Sequence, residues 1–195
     1  DWGDGTQDTG VTGGITHTYD SPGIYTVTIS EGFKNITFPT YSFQSDSKKL
    51  LSIEQWGDIQ WDTLQRAFYG GENLVLNARD VPNLSSVTDM SDMFYKAVNF
   101  NGDISAWDVS SVTNMSGMFT DAVSFNGEIS EWDVSSVTNM ASMFRDARAF
   151  DGDIGQWDMS AVTNMASMFE LARVFNADIS QWDVSSVTNM RNMFY

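Results

Sequence analysis

The sequence predicts an α/β repeat solenoid of short parallel strands and short helices, with a β-rich cap at its N-terminal end. Three observations predict this fold. A period of 25 residues holds from Val87 onward, one part of each period carries apolar residues at helical spacing, and another part reads as a short strand. Each coil of a solenoid buries its apolar face only against its neighbours. We therefore expect a stack of similar coils rather than one globular core.

The period is visible as columns of identical residues. Ten of the eleven methionines fall in two columns, and phenylalanine fills a third. The columns are Met90, Met115, Met140, Met165 and Met190; Met93, Met118, Met143, Met168 and Met193; and Phe94, Phe119, Phe144, Phe169 and Phe194. Because the methionines and phenylalanine of each repeat lie three and four residues apart, as on one side of a helix, we interpret Met115, Met118 and Phe119 as core residues rather than as a copper site.

The helical part of one coil is predicted near residues 112–122. Its apolar residues follow the three-and-four spacing of a helix: Val112, Met115, Met118, Phe119 and Ala122. Thr113 or Asn114 would cap the start of this helix.

The strand is predicted in "ISAWDV", residues 104–109. Ile104, Trp107 and Val109 form an apolar-x-x-apolar-x-apolar pattern that resembles the strand signature of leucine-rich repeats. Stacked coils would then place these strands in one parallel sheet. The equivalent tryptophans are expected to point into the core: Trp107, Trp132, Trp157 and Trp182.

We expect three segments: 1–45 as a partial β domain, 46–86 as degenerate capping coils, and 87–195 as the repeat solenoid. Pro82 replaces the tryptophan in the first copy, and Phe68 keeps the phenylalanine column. Trp56 and Trp61 are available to cover the open end of the core. Both ends of the sequence interrupt a pattern, so we expect a fragment of a longer protein.

Composition limits the function. Ten Lys and Arg against 26 Asp and Glu give a formal charge of −16, which disfavours nucleic acid and anionic membrane as partners. Cysteine is absent and His17 is the single histidine, so we expect neither an enzyme nor any catalytic residue. The sequence contains no apolar run long enough for a membrane span.

An aspartate follows each tryptophan and should point outward from the predicted sheet, with a serine two residues further on the same face. Neighbouring carboxylates would repel by about 1 kcal/mol in water. Two interpretations offset this repulsion: an Asx turn closed on each serine, or bridging Ca²⁺ held by the carboxylates. The candidate binding face comprises Asp108, Asp133, Asp158 and Asp183, then Ser110, Ser135, Ser160 and Ser185, and beside them Glu131, Gln156 and Gln181.

Other candidate sites have similar alternatives. A second acidic column, Asp103, Glu128, Asp153 and Asp178, is compatible with turns or cations. Asp1 and Asp4 could contribute to a Ca²⁺ site or fix a hairpin turn. Arg145, Arg148 and Arg173 form the only basic cluster and give an alternative binding patch.

Two parts of the chain resemble known families. "DWGDGT" followed by "THTYDSPGIYTVTIS", residues 1–30, resembles the C-terminal half of a polycystic-kidney-disease (PKD) domain, an immunoglobulin-like sandwich. The unit "WDVSSVTNMSGMFTDAVSFNGEIS" is similar to the BspA-like leucine-rich repeat of bacterial surface proteins, over about residues 50–195. The second resemblance implies an extracellular or bacterial cell-surface protein linked to adhesion, with no catalytic residues.

Two functions follow from these patterns. The first is an adhesin-like module that presents a repetitive face to a protein or glycan on a host or neighbouring cell. The second is a stiff spacer without a ligand of its own. No cofactor is expected apart from the Ca²⁺ alternative. Near-identity of the coils suits both functions.

Overall fold

The chain forms two compact units, Asp1–Phe33 and Lys34–Tyr195. The computed structural model describes residues 1–11, 13–30, 32–38 and 46–195. The predicted boundary at residue 45 lies outside these residues.

Regular secondary structure is sparse. A 3₁₀ helix spans Asp46–Lys49, and strands β1 (Ser52–Ile53) and β2 (Val75–Leu76) form a parallel pair. The register of this pair places Ser52 opposite Val75. The described residues contain no α-helix and no further sheet, only isolated parallel bridges such as Asn114 with Asn139. The predicted α/β solenoid of strands and helices is therefore wrong.

Consecutive turns occupy the segment where a helix was expected. Alternate N–H groups close turns inside the repeat, from Met118 to Met115 O at 3.2 Å and from Thr120 to Gly117 O at 3.0 Å. The N–H groups between them donate to the next repeat, as Phe119 does to Met143 O at 2.9 Å. An α-helix would instead bond each N–H to the carbonyl four residues earlier. Turns also return apolar residues to one side every third position, so their spacing imitated that of a helix.

Two positions in each repeat adopt the left-handed backbone conformation. One column contains Asp92, Gly117, Ser142, Ser167 and Asn192, and the other contains Lys96, Asp121, Asp146 and Leu171, with φ between 53° and 66°. Only glycine adopts this conformation without steric cost, which for other residues is about 1 to 2 kcal/mol. The ladder of bonds between repeats therefore holds most of these residues in an unfavourable local geometry.

We call residues 87–195 the repeat stack. Its core is a double row of phenylalanines. Rings of adjacent repeats stack, with centroids 5.6 Å apart for Phe94 and Phe119 and 5.8 Å for Phe119 and Phe144. Within one repeat, Phe119 stacks on Phe125 at 3.8 Å. Met115, Met118 and Phe119 are fully buried, as predicted.

The four tryptophans are buried as well, with between 3% and 8% of their surface exposed. The predicted inward orientation is thus confirmed. Trp132 Nε1 donates to Ile104 O of the preceding repeat at 3.1 Å, and Trp157 and Trp182 make the equivalent bond. All four indoles therefore fill the core, and those of Trp132, Trp157 and Trp182 also link two repeats.

Residues before the repeat stack continue its core. Phe68 stacks on Phe94 at 5.6 Å, in agreement with its predicted column. Trp56 and Trp61 are buried, and Trp56 meets Trp107 edge-on at 5.5 Å. Pro82, 25 residues before Trp107, lies at the position that tryptophan occupies in the later repeats.

The unit Asp1–Phe33 contains no strand among its described residues, so the predicted β-rich cap is wrong. Asp1 and Thr28 exchange two backbone hydrogen bonds, of 2.9 and 3.0 Å. The unit is organised by ring contacts: His17 stacks on Trp2, and Tyr19 stacks on Tyr25.

Replacing Trp132 with alanine should lower the free energy of unfolding by about 3 to 5 kcal/mol, because a buried ring and its contacts in two repeats are lost. Trp132→Phe keeps most of the ring but removes the donor to Ile104 O, so its cost should be smaller, about 1 to 3 kcal/mol. Chemical denaturation measures both values. A wild-type midpoint for Trp132→Ala would contradict the inward packing.

Replacing Ser142 with glycine should raise the free energy of unfolding by about 0.5 to 1 kcal/mol. Glycine removes the steric cost of the left-handed conformation, and the greater backbone entropy of glycine in the unfolded chain offsets part of this gain. Ala141→Gly is the matched control, because the φ of Ala141 is not positive. That change should destabilise by about 0.5 to 1 kcal/mol. Equal losses in the two variants would show that Ser142 is unstrained in solution.

Candidate functional site

The aspartate after each tryptophan closes an Asx turn. Asp108 Oδ1 accepts the backbone N–H of Ser110 at 3.1 Å and its hydroxyl at 2.6 Å. Asp133 makes the same pair of bonds with Ser135. Asp158 and Asp183 accept the N–H of Ser160 and Ser185 at 3.0 and 2.9 Å. The turn interpretation is therefore confirmed in all four repeats.

The surface that carries these turns is not a sheet. In the predicted strand, Trp107 N–H donates to Ile104 O at 3.2 Å and Val112 N–H donates to Val109 O at 2.9 Å. Both bonds close turns, so Asp108 lies at a bend between two turns. Ile104, Trp107 and Val109 are nevertheless buried. The turns therefore bring into the core the same three side chains that the predicted strand would have placed there.

The aspartates nevertheless form one repeated exposed feature, which we call the aspartate column: Asp108, Asp133, Asp158 and Asp183. Its neighbours Glu131, Gln156 and Gln181 are also exposed. Ser110 is half-buried, and Ser135, Ser160 and Ser185 are exposed. The structure thus places all the predicted binding residues at the surface, in the same position of successive repeats.

Hydrogen bonding lowers the pKa of carboxyl groups in this column. The bonds from Ser110 hold the pKa of Asp108 below its ordinary value, and Ser160 has the same effect on Asp158. For Asp183 the bonds from Ser185 outweigh the charge of Asp158, which is the weakest influence and acts in the opposite direction. Local donors therefore dominate over the repulsion between repeats.

Two further polar columns close turns of the same kind. Asp103 accepts from Ser105, and Asp178 accepts from Ser180. Asn114 Oδ1 accepts the N–H of Ser116 at 3.2 Å. Repeats with aspartate in the first of these columns therefore have three places where a short polar side chain fixes a bend.

A fourth polar column was missed from the sequence. Asn101 Oδ1 accepts the N–H of Asn126 at 2.8 Å, and Asn126 accepts that of Asp151 at 2.9 Å. Asp151 continues the series by accepting the N–H of Asn176 at 2.7 Å. The recurrence of Asn or Asp every 25 residues was the available signal. These side chains link successive repeats, whereas the Asx turns act within one.

No group of three or more His, Asp or Glu side chains that could hold a metal ion is found in the described ranges. In the N-terminal unit, Asp1 accepts the N–H of Gly3, and Asp4 accepts from Thr6 and from His17 Nε2. The bonds from Thr6 and His17 lower the pKa of Asp4 to about 2. Asp1 and Asp4 thus fix the local turn here.

The predicted arginine cluster is divided among acidic partners. Arg145 Nε lies 3.3 Å from Glu170, and Arg148 makes two bonds of 2.8 Å to Asp146. Arg173 is exposed. The three arginines therefore do not act as one unpaired basic patch.

The structure adds a feature that the sequence did not reveal, a shallow depression of about 270 Å³ beside Thr120. Tyr95 and Arg145 stand on its two sides. The residues at positions 95 and 145 differ from one repeat to another, whereas the aspartate column is constant. This difference was the available signal in the sequence.

The Asx turns predict an acid-sensitive stability. A carboxyl group whose pKa is lower in the folded chain than in the unfolded chain stabilises the fold at every pH above its unfolded pKa, here 3.8. That contribution is lost as the pH falls through the pKa of the folded chain. Replacing Asp108 and Asp158 with asparagine should flatten the fall in melting temperature below pH 3.8. Asparagine still accepts the turn bonds through its carbonyl oxygen.

Asp58→Asn is the control, because Asp58 is exposed and lies outside the column. Melting curves from pH 7 to pH 2 should be as steep for this control as for the wild type. An unchanged acid profile in the double variant would contradict the assigned bonds.

The chain was compared with known proteins. No curated protein and no solved structure matches it. Among the described residues, no helix is long and apolar enough to cross a membrane. Residues 62–163 and 128–195 both match one family, described as "Mycoplasma protein of unknown function, DUF285", and these matches cover more than half of the chain and are consistent with a surface repeat protein. The chain belongs to the DUF285 family.

Proposed function

We propose that this chain is an adhesin-like binding module of a cell-surface or secreted protein, which presents the aspartate column to a protein or glycan partner. The observation that carries the proposal is repetition of one exposed polar group. Each Asx turn uses Oδ1, so Oδ2 of the same exposed residue takes no part in that turn.

The rigidity of the column supports this function. Each aspartate is fixed by bonds to a serine two residues away, and the tryptophan before it is buried. In the last three repeats that tryptophan also donates to a carbonyl of the preceding repeat. A side chain that is already ordered loses little entropy when it binds. Identical groups at regular intervals gain affinity when one partner contacts several of them together.

The membership in DUF285 supports the proposed location, because it is consistent with a surface repeat protein. The similarity to BspA-like repeats gives the finer proposal of an extracellular or bacterial cell-surface adhesin. The formal charge of −16 favours a neutral or cationic partner over nucleic acid or anionic lipid.

A stiff spacer is the second candidate function. The continuous phenylalanine stack and the bonds between repeats would make the repeat stack resistant to bending. A spacer needs this stiffness but no exposed ligand site. We propose no catalytic activity, since the sequence offers a single histidine and no cysteine from which to build a nucleophile and its base.

Binding to arrays of glycans and extracellular-matrix proteins tests the module, with the wild type measured in Ca²⁺ and in chelator. We expect a ligand built of repeating units, and we expect Asp133→Asn with Asp158→Asn to weaken its binding. Thr138→Ser is a control at an exposed position of another column. Absence of any wild-type binding in both conditions would reject the module and favour the spacer.

Millimolar Ca²⁺ should change the melting temperature little, because the turn bonds already stabilise the carboxylates. A cation ladder would instead raise stability by mass action, roughly 2.7 kcal/mol at a hundredfold excess over the dissociation constant. Calorimetry with Ca²⁺ and with chelator separates these outcomes. A large Ca²⁺ shift that disappears in the Asp133→Asn, Asp158→Asn variant would establish a metal-dependent face.

A further inference from the structure

The side chains that follow the stacked phenylalanines form what we call the variable column: Tyr69, Tyr95, Thr120, Arg145, Glu170 and Tyr195. Its first two members are aromatic, and their rings stack in parallel with centroids 4.6 Å apart and planes 2° apart. Arg145 and Glu170 form an ion pair. The small Thr120 separates the aromatic part from the charged part.

Thr120 forms the floor of the depression beside it. Only 1% of its surface is exposed, and its hydroxyl donates to Ser142 O at 2.6 Å. Gly117 keeps the neighbouring wall open, since a Cβ there would collide with the Asp92 carboxylate. We call the depression of about 270 Å³ the notch, and its polar and aromatic lining is Asp92, Tyr95, Ser116, Thr120, Ser142 and Arg145.

The notch has room for one ring. Tyr95 and Arg145 are two repeats apart, and hydrogen-bonded neighbouring backbones lie about 4.8 Å apart, so roughly 10 Å separate the two side chains along the column. A stacked ring stands about 4.5 to 7 Å from its neighbour. A six-membered ring on the face of Tyr95 away from Tyr69 would therefore continue the stack and end against Arg145, with the Lys96 side chain that lies over the Tyr95 ring turned aside.

The polar lining indicates which ring fits. Asp92 Oδ2 is held by Arg66 at 3.2 Å, while Oδ1 lies on the side of Gly117. Arg145 Nε lies 3.3 Å from Glu170, and a guanidinium carries five N–H donors, more than one carboxylate partner uses. Acceptors and donors thus surround the edge of the notch, and an aromatic face forms one wall.

We propose that the notch binds one pyranose ring of a neutral glycan. The C–H face of such a ring packs on Tyr95, and its hydroxyl groups exchange hydrogen bonds with Asp92, Ser142 and Arg145. An aromatic side chain of a partner protein offers this polar lining at most one hydrogen-bonding group, whereas a pyranose ring offers several hydroxyl groups. A nucleobase would bring phosphates to a chain of charge −16.

Local charge balance favours a neutral sugar over an acidic or basic one. Asp92 is paired with Arg66, and Arg145 is paired with Glu170. Lys96 Nζ lies over the Tyr95 ring, 5.4 Å from its centre, so a bound sugar must displace it. The Lys96 side chain is exposed, and it can turn aside and donate to a sugar hydroxyl. The site makes no use of the aspartate column and so goes beyond the function proposed above.

An array of neutral mono- and oligosaccharides, followed by titration calorimetry with the best one, tests the site. Tyr95→Ala should weaken binding at least tenfold. Tyr69→Ala is the matched control, because Tyr69 contacts Tyr95 from the other side and does not line the notch. Its binding should stay within about threefold of the wild type.

Thr120→Tyr is the second variant, since a tyrosine there would extend the stack of Tyr69 and Tyr95 and fill the notch. It should abolish saccharide binding, and a melting curve verifies that it folds. The Asp133→Asn, Asp158→Asn variant should keep notch binding, which separates this site from the aspartate column.

Three results would overturn the proposal. They are the absence of binding to every neutral saccharide, undiminished binding by a folded Thr120→Tyr variant, and a preference for aromatic peptides or oligonucleotides over saccharides on the same site.

Discussion

The repeat stack depends on how its backbone N–H groups are shared. In each repeat, alternate N–H groups close turns locally, and the groups between them donate to carbonyl oxygens of the next repeat. A buried N–H without a partner costs free energy comparable to a lost hydrogen bond, so the next repeat must present its carbonyls in register. An insertion or deletion of one residue would shift every following bond. This constraint accounts for a period that stays at 25 residues from Met90 to Met190.

The other features of the stack follow from that register. Identical residues come to lie on one another, so phenylalanine stacks on phenylalanine. The indoles of Trp132, Trp157 and Trp182 each reach a carbonyl of the preceding repeat. The bends that return the chain are fixed by Asp or Asn side chains. The same register holds Ser142 and Leu171 at positive φ, where neither residue is favourable alone. Side chains are free to vary where the backbone alone makes these bonds, as at Tyr95 and Arg145 beside the notch.

The sequence was informative about columns and poor about local conformation. Burial of Trp132, stacking of Phe68 and the Asx turn at Asp108 were all predictable, because each depends on residue type and period. The helix and strand were not, since apolar residues at three-and-four spacing fit consecutive turns as well as a helix. Gly117 hinted at a positive φ, but Leu171 gives no such hint. The notch requires the three-dimensional stack, because Tyr95 and Arg145 are 50 residues apart in the sequence.

The sharing of N–H groups is tested most directly by NMR couplings across hydrogen bonds. With the chain labelled with ¹⁵N and ¹³C, the N–H of Phe119 should couple to the carbonyl carbon of Met143, its partner at 2.9 Å. The N–H of Thr120 should couple to the carbonyl of Gly117 within its own repeat. Coupling of Phe119 to the carbonyl of Met115, four residues earlier, would reveal an α-helix and contradict the account.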